Sequence, residues 1–135
     1  MVAPANLPRD AARGFTLIEL VVVISILGIL TAVALPNYRV SVIQAKEAVL
    51  KEDLYRLREL IDQYYADKGR YPETLDSLVE DGYLRRLPVD PMTHQPDWLT
   101  EDAESDPDST DLPGIYDVHS ASPGMSLSGT PYSEW

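Results

Sequence analysis

Residues 14–36 read GFTLIELVVVISILGILTAVALP, an apolar run in which Glu19 carries the only ionisable side chain. At about 1.5 Å per helical residue, the stretch from Phe15 to Leu35 would span roughly 31 Å, the thickness of the hydrocarbon core of a bilayer. A carboxylate inside a bilayer costs on the order of 2.5–3.5 kcal/mol on insertion scales. The run therefore predicts a membrane-spanning helix in which Glu19 has a function.

The segment before this run is polar and ends in Arg13. A secretory signal peptide would have a shorter apolar core, followed by a cleavage site with small residues at its far end. The length of the run therefore favours a membrane span over a secretory signal. The basic residues Arg9 and Arg13 would hold the N-terminus on the cytoplasmic side and place everything after Pro36 outside the cytoplasm.

Composition limits what the rest of the chain can be. The 135 residues allow one small domain in addition to the anchor, and the absence of cysteine excludes a disulfide framework and a thiolate zinc site. The net charge is -11, and all 11 Lys and Arg residues lie at or before Arg86. Nucleic-acid binding is not expected, because phosphate contacts need clustered cations.

A second helical pattern covers residues 38–68. One apolar stripe recurs at helical spacing, and its members are Leu50, Leu54, Leu57, Ile61 and Tyr64. The stripe could form a short coiled coil, but the simpler interpretation is that it packs against the sheet of the chain's own domain. The opposite face is expected to carry three exposed i,i+4 ion pairs, Glu47–Lys51, Glu52–Arg56 and Arg58–Asp62. Gly69 and Pro72 would end the helix.

Residues 69–135 contain shorter elements. A short helix is predicted over Glu73–Glu80, ending at Gly82, with Leu75, Leu78 and Val79 facing inward. Strands are predicted at Gly114–Ser120 and around Asp97–Thr100, and the tail Ser126–Trp135 is a candidate edge strand. Strict alternation is expected along the strand at 114–120, with Ile115, Asp117 and His119 on one face. The acidic segment 100–112 is predicted to be a loop.

These elements define an α+β fold. A long N-terminal helix, with its first half transmembrane, would pack on a small C-terminal domain that contains a short helix and a small antiparallel sheet.

The motif Gly14-Phe-Thr-Leu-Ile-Glu-Leu20, followed by an apolar helix with Pro36 near its end, resembles the type IV pilin superfamily. The resemblance implies the pilin fold, cleavage by a prepilin peptidase between Gly14 and Phe15, and methylation of the new Phe15 amine. It divides the chain into a cleaved leader (1–14), a transmembrane and filament-core helix (15–36), its amphipathic continuation (37–68) and a periplasmic globular domain (69–135).

The string KGRYPETLDSLVEDGYLRRLPVDP at 68–91 narrows the comparison. Together with residues 114–120 and 131–135, it resembles the major pseudopilins of type II secretion systems. The resemblance implies a single-pass protein of the bacterial inner membrane whose C-terminal domain lies in the periplasm. It would polymerise through its N-terminal helix into a periplasmic pseudopilus, with other pseudopilins and an inner-membrane assembly platform as partners.

Glu19 acquires a role in such a filament. The positive end of the helix dipole lowers the cost of its carboxylate, and the Phe15 amine of the next subunit can pair with it, which would set the register of assembly. Pro36 and Gly28 would permit bending or local melting of the helix during packing. The alternatives are that Glu19 is a tolerated polar residue at the membrane edge, and that Pro36 and Gly28 are residues that membrane helices tolerate anyway.

The resembled pseudopilins bind one calcium ion in C-terminal loops, and Asp117 matches the first aspartate of their motif. The chain departs from that motif at Ser122-Pro123-Gly124, where no aspartate stands. We therefore expect that the chain requires no cofactor. Asp117 is a candidate ligand for a Ca²⁺ ion, and the alternative is that the acidic loop is simply solvated. Asp117 and His119 are expected to be a surface pair without catalytic function, since no nucleophile motif or zinc spacing accompanies them.

Three rivals remain open from the sequence. The nearest is a type IV pilin subunit of a surface pilus used for adhesion, motility or DNA uptake. Another is a calcium-binding or enzymatic domain whose helix is only a tether. The third is a minor subunit at the filament tip.

Overall fold

The longest element is a 52-residue helix, α1, over Leu17–Lys68. The computed structural model describes residues 1–3, 14–104, 107–108 and 113–135. The helix continues through Pro36 and ends where Gly69 adopts a left-handed φ of 71°. The Gly69 amide donates to the Tyr65 carbonyl oxygen at 2.8 Å, which satisfies one carbonyl of the last turn. The predicted end of the helix is confirmed.

The chain forms two compact units, Met1–Arg39 and Val40–Trp135. The described side chains of the first unit are exposed throughout. The second unit holds the hydrophobic core, in which the predicted α1 stripe is buried with side chains from the C-terminal half. The members of this core are Leu50, Leu54, Leu57, Ile61, Tyr64, Leu75, Leu78, Trp98, Ile115, Val118 and Tyr132. The stripe thus packs within its own domain, as one of the two alternatives predicted.

The short helix α2 covers Asp76–Glu80 and begins three residues later than predicted. The Pro72 carbonyl oxygen accepts the Ile115 amide at 2.8 Å, so the residues after Pro72 are held beside the strand that begins at Ile115 and do not join the helix. Leu75 and Leu78 are buried, and Val79 is half-buried. Gly82, with a φ of 82°, follows the helix end as predicted.

Two antiparallel strands form the sheet, β1 at Leu99–Asp102 and β2 at Ile115–His119. The predicted strand at 114–120 is confirmed, whereas the other strand begins two residues later than expected. The Trp98 indole N–H donates to the Pro88 carbonyl oxygen at 2.9 Å, which holds that residue in the preceding turn. Since β1 extends to Asp102, the prediction that the whole acidic segment 100–112 is a loop was wrong at its start.

The strict alternation predicted along β2 is also wrong. Leu99 pairs with His119 and Glu101 with Asp117, but Asp102 pairs with Ile115, so the register shifts by one residue at Tyr116. A bulge of this kind reverses the facing of every residue beyond it. Ile115 therefore joins Val118 in the core, while Asp117 and His119 remain half-buried on the other face with Glu101.

The tail is not the edge strand that was predicted. Residues 126–130 form a turn in which the Ser126 amide donates to the Thr130 carbonyl oxygen at 2.8 Å, with Gly129 at a φ of 84°. A single bridge joins Met125 and Pro131, and a 3-10 helix covers Tyr132–Glu134. Pro131 has no amide to continue a ladder, and the buried Tyr132 ring turns the chain into the core.

The passage Leu87-Pro-Val-Asp-Pro91 contains a carboxylate that has no exposed surface, that of Asp90. Its Oδ1 accepts the Met92 amide at 2.7 Å, and its Oδ2 accepts the Ser120 hydroxyl. A buried carboxylate persists only when its oxygens are hydrogen-bonded. Asp90 therefore ties this turn to the end of β2.

Tyr132 gives the fold a dependence on alkaline pH. Burial, with the hydrogen bond to the Glu47 carboxylate, raises the pKa of Tyr132 from 10.0 to about 12. Because the folded chain keeps this proton where the unfolded chain has lost it, the free energy of unfolding should fall as the pH rises from 10 to 12. We expect Tyr132→Phe to make the free energy of unfolding less steeply dependent on pH in this range, by an amount equal to the release of up to about one proton on unfolding. Urea unfolding at several pH values measures this slope. Equal slopes in the two proteins would contradict this account.

Candidate functional site

The start of α1 is a capping box built from Thr16 and Glu19. The Thr16 hydroxyl accepts the Glu19 amide at 3.3 Å. In return, Oε2 of Glu19 accepts the Thr16 amide at 2.8 Å and the Thr16 hydroxyl at 2.9 Å. This reciprocal pattern satisfies amides that have no partner inside the helix.

Glu19 uses only one of its carboxylate oxygens in this cap. Oε1 makes no hydrogen bond within the described part of the chain, and the residue is exposed. Phe15 is 92% exposed, and the Glu19 carboxylate opens onto a groove of about 580 Å³ lined by Phe15, Thr16, Leu17, Glu19, Leu20 and Val23. The site can therefore accept a donor from outside the chain without losing its own cap.

The apolar side chains that follow have no partner within their unit. Leu17, Ile18, Ile24 and Leu30 are each more than half exposed, and every residue from Leu17 to Leu35 is exposed. By length and composition, α1 is the one helix among the described residues that could cross a membrane. Such a surface needs lipid or other apolar helices around it.

The other residues predicted to act in this segment are Gly14, Gly28 and Pro36. Pro36 lies inside α1, and a Cβ placed on Gly14 or Gly28 would meet nothing within 4 Å. Arg9 and Arg13, on which the predicted orientation depends, lie outside the described residues, as does most of the leader.

A second polar site surrounds Asp117 in the other unit. The Arg58 Nε donates to Asp117 Oδ1 at 2.6 Å, and the Arg58 Nη2 donates to the main-chain oxygens of Val118 and Trp135 at 2.9 and 2.8 Å. Asp117 Oδ1 also accepts the Val118 amide at 2.7 Å. Arg58 thereby joins α1 to β2 and to the last residue of the chain. We call Arg58, Glu101, Asp117 and His119 the Arg58 cluster.

His119 is placed by the same residues. Its Nδ1 lies 2.6 Å from the main-chain oxygen of Trp135, which can only accept, so this nitrogen carries the proton. Its Nε2 lies 3.5 Å from Glu101 Oε2 and 3.6 Å from Asp117 Oδ2. His119 and Asp117 do form a pair, as predicted, but both side chains are half-buried.

None of the three ion pairs expected on the exposed face of α1 forms among the described residues, and Glu47, Lys51 and Arg58 instead contact the C-terminal segment. Glu47 Oε1 accepts the Leu127 amide at 2.8 Å and the Tyr132 hydroxyl at 2.9 Å. Lys51 places its ammonium 4.5 Å from the centre of the Trp135 ring. Arg58 pairs with Asp117 rather than with Asp62.

The described residues do not fit a calcium ion at Asp117. Calcium takes about six to eight oxygen ligands. Glu101, Asp117 and His119 place one ligand atom each within 4.8 Å of one another, which gives two carboxylates and one nitrogen. Arg58 already donates to Asp117 Oδ1. Two further carboxylates of the acidic segment, Asp106 and Asp111, lie outside the described residues.

Two residues of these sites were not identified from the sequence. Thr16 could have been found, because Thr-Leu-Ile-Glu before an apolar run is a capping-box signature. Arg58 could not, since its partner lies 59 positions away and the nearer Asp62 offered a local alternative.

Comparison with known proteins identifies a family and several relatives that resemble this chain. The family described as the prokaryotic N-terminal methylation motif matches residues 9–35. The chain is 34% identical over 130 residues to type II secretion system core protein G of Escherichia coli, which covers 84% of this chain and 83% of that protein.

Proteins with the same name in other bacteria are similar as well. The chain is 40% identical over 99 residues to that of Pseudomonas aeruginosa and 37% identical over 99 residues to that of Klebsiella michiganensis. Each of these matches covers 62% of this chain and 70% of the relative. No solved structure matches the chain.

The capping box can be tested directly. Thr16→Val removes the hydroxyl and should cost the first turn about 1 kcal/mol, or roughly fivefold faster amide exchange at Glu19 and Leu20. Thr16→Ser keeps the hydroxyl and should retain the slow exchange. The measurement is hydrogen exchange of the full chain in detergent micelles by NMR. Equal rates in the valine and serine variants would contradict the cap.

Proposed function

The chain belongs to the family of type II secretion system core protein G, and we propose on that basis that it is a pseudopilin, the structural subunit of a secretion pseudopilus. The likeness to the Escherichia coli protein, which covers 83% of that relative, carries the proposal. The methylation motif alone fits surface pili equally well. The relatives named for type II secretion favour the pseudopilus over the surface pilus.

Maturation is the first step of the proposed function. The methylation motif supports cleavage between Gly14 and Phe15 by a prepilin peptidase and methylation of the new amine. The exposed Phe15, and the open space around Gly14, support access of an enzyme to this bond. The apolar stretch of α1 fits a single-pass anchor in the inner membrane, and we propose that the C-terminal unit lies in the periplasm.

Assembly then depends on Glu19. The carboxylate caps its own helix through Oε2, and Oε1, which has no hydrogen bond from any described residue, can accept one from the Phe15 amine of a neighbouring subunit. The exposed apolar side chains of 17–35 would pack against copies of themselves in the filament core, together with other pseudopilins. The pairing of one amine with one carboxylate fixes the axial register of subunits that apolar packing alone leaves free to slide.

The proposed role is structural rather than enzymatic. Its other partners would be the prepilin peptidase and an inner-membrane assembly platform. Export would follow from the addition of subunits at the base of the filament, which needs no catalytic group in this chain.

Processing gives a test that does not depend on secretion. The mature subunit should begin at Phe15 and carry one methyl group on its amine, as read by mass spectrometry of the protein purified from membranes. Gly14→Val should leave the leader attached, because the branched side chain fills the space at the cleaved bond. A subunit with Met1 still present in the wild-type strain would contradict the proposed maturation.

Glu19→Ala should abolish export while the subunit still enters the membrane and is cleaved. Removing one partner of a buried ion pair costs about 3–5 kcal/mol, which weakens each subunit addition by roughly 100-fold or more. The measurement compares culture-supernatant proteins, filaments recovered by cross-linking and membrane-bound subunit in a deletion strain that carries each variant. Glu52→Ala, which removes an exposed carboxylate of the same helix outside the apolar stretch, is the matched control.

Export at the wild-type level in the Glu19→Ala strain would contradict the role of a main filament subunit and favour a tethered domain or a minor subunit at the tip. Loss of surface pili with export intact would favour the type IV pilin.

A further inference from the structure

We propose that the guanidinium of Arg58 takes the place of a divalent cation at Asp117, so that the folded C-terminal unit does not need calcium. The proposal goes beyond the pseudopilin function, because it concerns what holds the subunit itself together. Three oxygens accept hydrogen bonds from the Arg58 guanidinium.

These oxygens are of the kinds that calcium uses. A calcium site in a protein is commonly built from carboxylates and backbone carbonyls. Arg58 donates to one carboxylate oxygen, of Asp117, and to two main-chain oxygens, of Val118 and Trp135, all at 2.6–2.9 Å. The planar fork of an arginine is suited to collecting several oxygens in this way. The side chain thus occupies the position from which a cation would reach the same atoms.

The charge of the cluster favours a cation at this position. Glu101 and Asp117 lie directly opposite each other on β1 and β2, and like charges in that arrangement destabilise a sheet. Arg58 is the group that brings a permanent positive charge to Asp117, since an arginine keeps its proton in proteins. The Arg58 and Asp117 side chains are 37% and 26% exposed, so water does not fully screen the pair. A second cation at Asp117 would be repelled by the first.

The segment after β2 is held in place by hydrogen bonds between protein groups. The hydroxyls of Ser126, Ser128 and Thr130 lie within 2.7–3.3 Å of one another, and Glu47 accepts from the Leu127 amide and the Tyr132 hydroxyl. Among the described residues, every buried side-chain nitrogen and oxygen has a hydrogen-bond partner. No buried polar atom in this part of the chain is left for a metal to satisfy.

The test uses the full chain in detergent micelles. Thermal unfolding is followed by the fluorescence of Trp98 and Trp135, with either calcium chloride or EGTA present. The variants are Arg58→Gln, Asp117→Asn and the double variant. The matched control is Arg56→Gln, which removes a guanidinium of the same helix that makes no ion pair with any described residue. Equilibrium dialysis of the wild-type chain against radioactive calcium measures bound ion independently of stability.

We expect the Tm of the wild type to differ by less than about 1 °C between calcium and EGTA, with no calcium retained in dialysis. Arg58→Gln should lower the Tm by roughly 5–10 °C, whereas Arg56→Gln should not. The double variant should unfold within about 2 °C of the less stable single variant, because both changes break the same interaction.

Either of two results would overturn the proposal. One is a bound calcium ion in the wild type that Asp117→Asn abolishes, with a Tm that rises when calcium is added. The other is an Arg58→Gln variant as stable as Arg56→Gln, which would show that the guanidinium does not hold the unit together. Should Arg58→Gln fail to fold, the dialysis result on the wild type still decides whether Asp117 binds calcium.

Discussion

Burial of one face of α1 is the interaction on which the rest of the second unit depends. Leu50, Leu57 and Ile61 have no exposed surface, and the side chains that cover them come from α2, from β2 and from the 3-10 helix at the end of the chain. A two-stranded sheet is marginal in water by itself. Here it is stable because Ile115 and Val118 extend the core that the helix begins, so the helix acts as the template for every shorter element.

The first unit obeys the opposite constraint. Its apolar side chains are exposed along nearly the whole surface from Leu17 to Leu35, which water does not tolerate in a folded protein. This surface has two compatible environments, lipid and a bundle of like helices, and a pseudopilin passes from one to the other. In the proposed assembly Glu19 would distinguish between them, since the bilayer offers its Oε1 no donor whereas the N-terminal amine of a neighbouring subunit does.

The sequence predicted those features that depend on neighbouring residues. Helical periodicity identified the buried stripe of α1, and the resemblance over 14–20 identified the family that the comparisons confirmed. The sequence did not predict features set by distant contacts. The bulge at Tyr116 reverses the facing of Ile115, and Trp98 delays the start of β1 by bonding to Pro88. Neither contact leaves a local pattern. The processing residues, Glu19 pairing and Pro36 stay predictions, since no monomer geometry tests them.

Charged residues show this limit most clearly. The spacing of Glu47, Lys51 and Arg58 fits i,i+4 pairs on a solvated helix, an interaction worth only a few tenths of a kcal/mol. Contacts with the C-terminal segment outweigh it, because a charge at the edge of the core gains more from a backbone amide, an aromatic ring or a carboxylate there than from an exposed neighbour. Each of the three residues therefore turns from its local partner to the tail. With Arg58 in the role we propose for it, a tail attached in this way would need no exchangeable ion, and the fold of the subunit would not change with the supply of calcium.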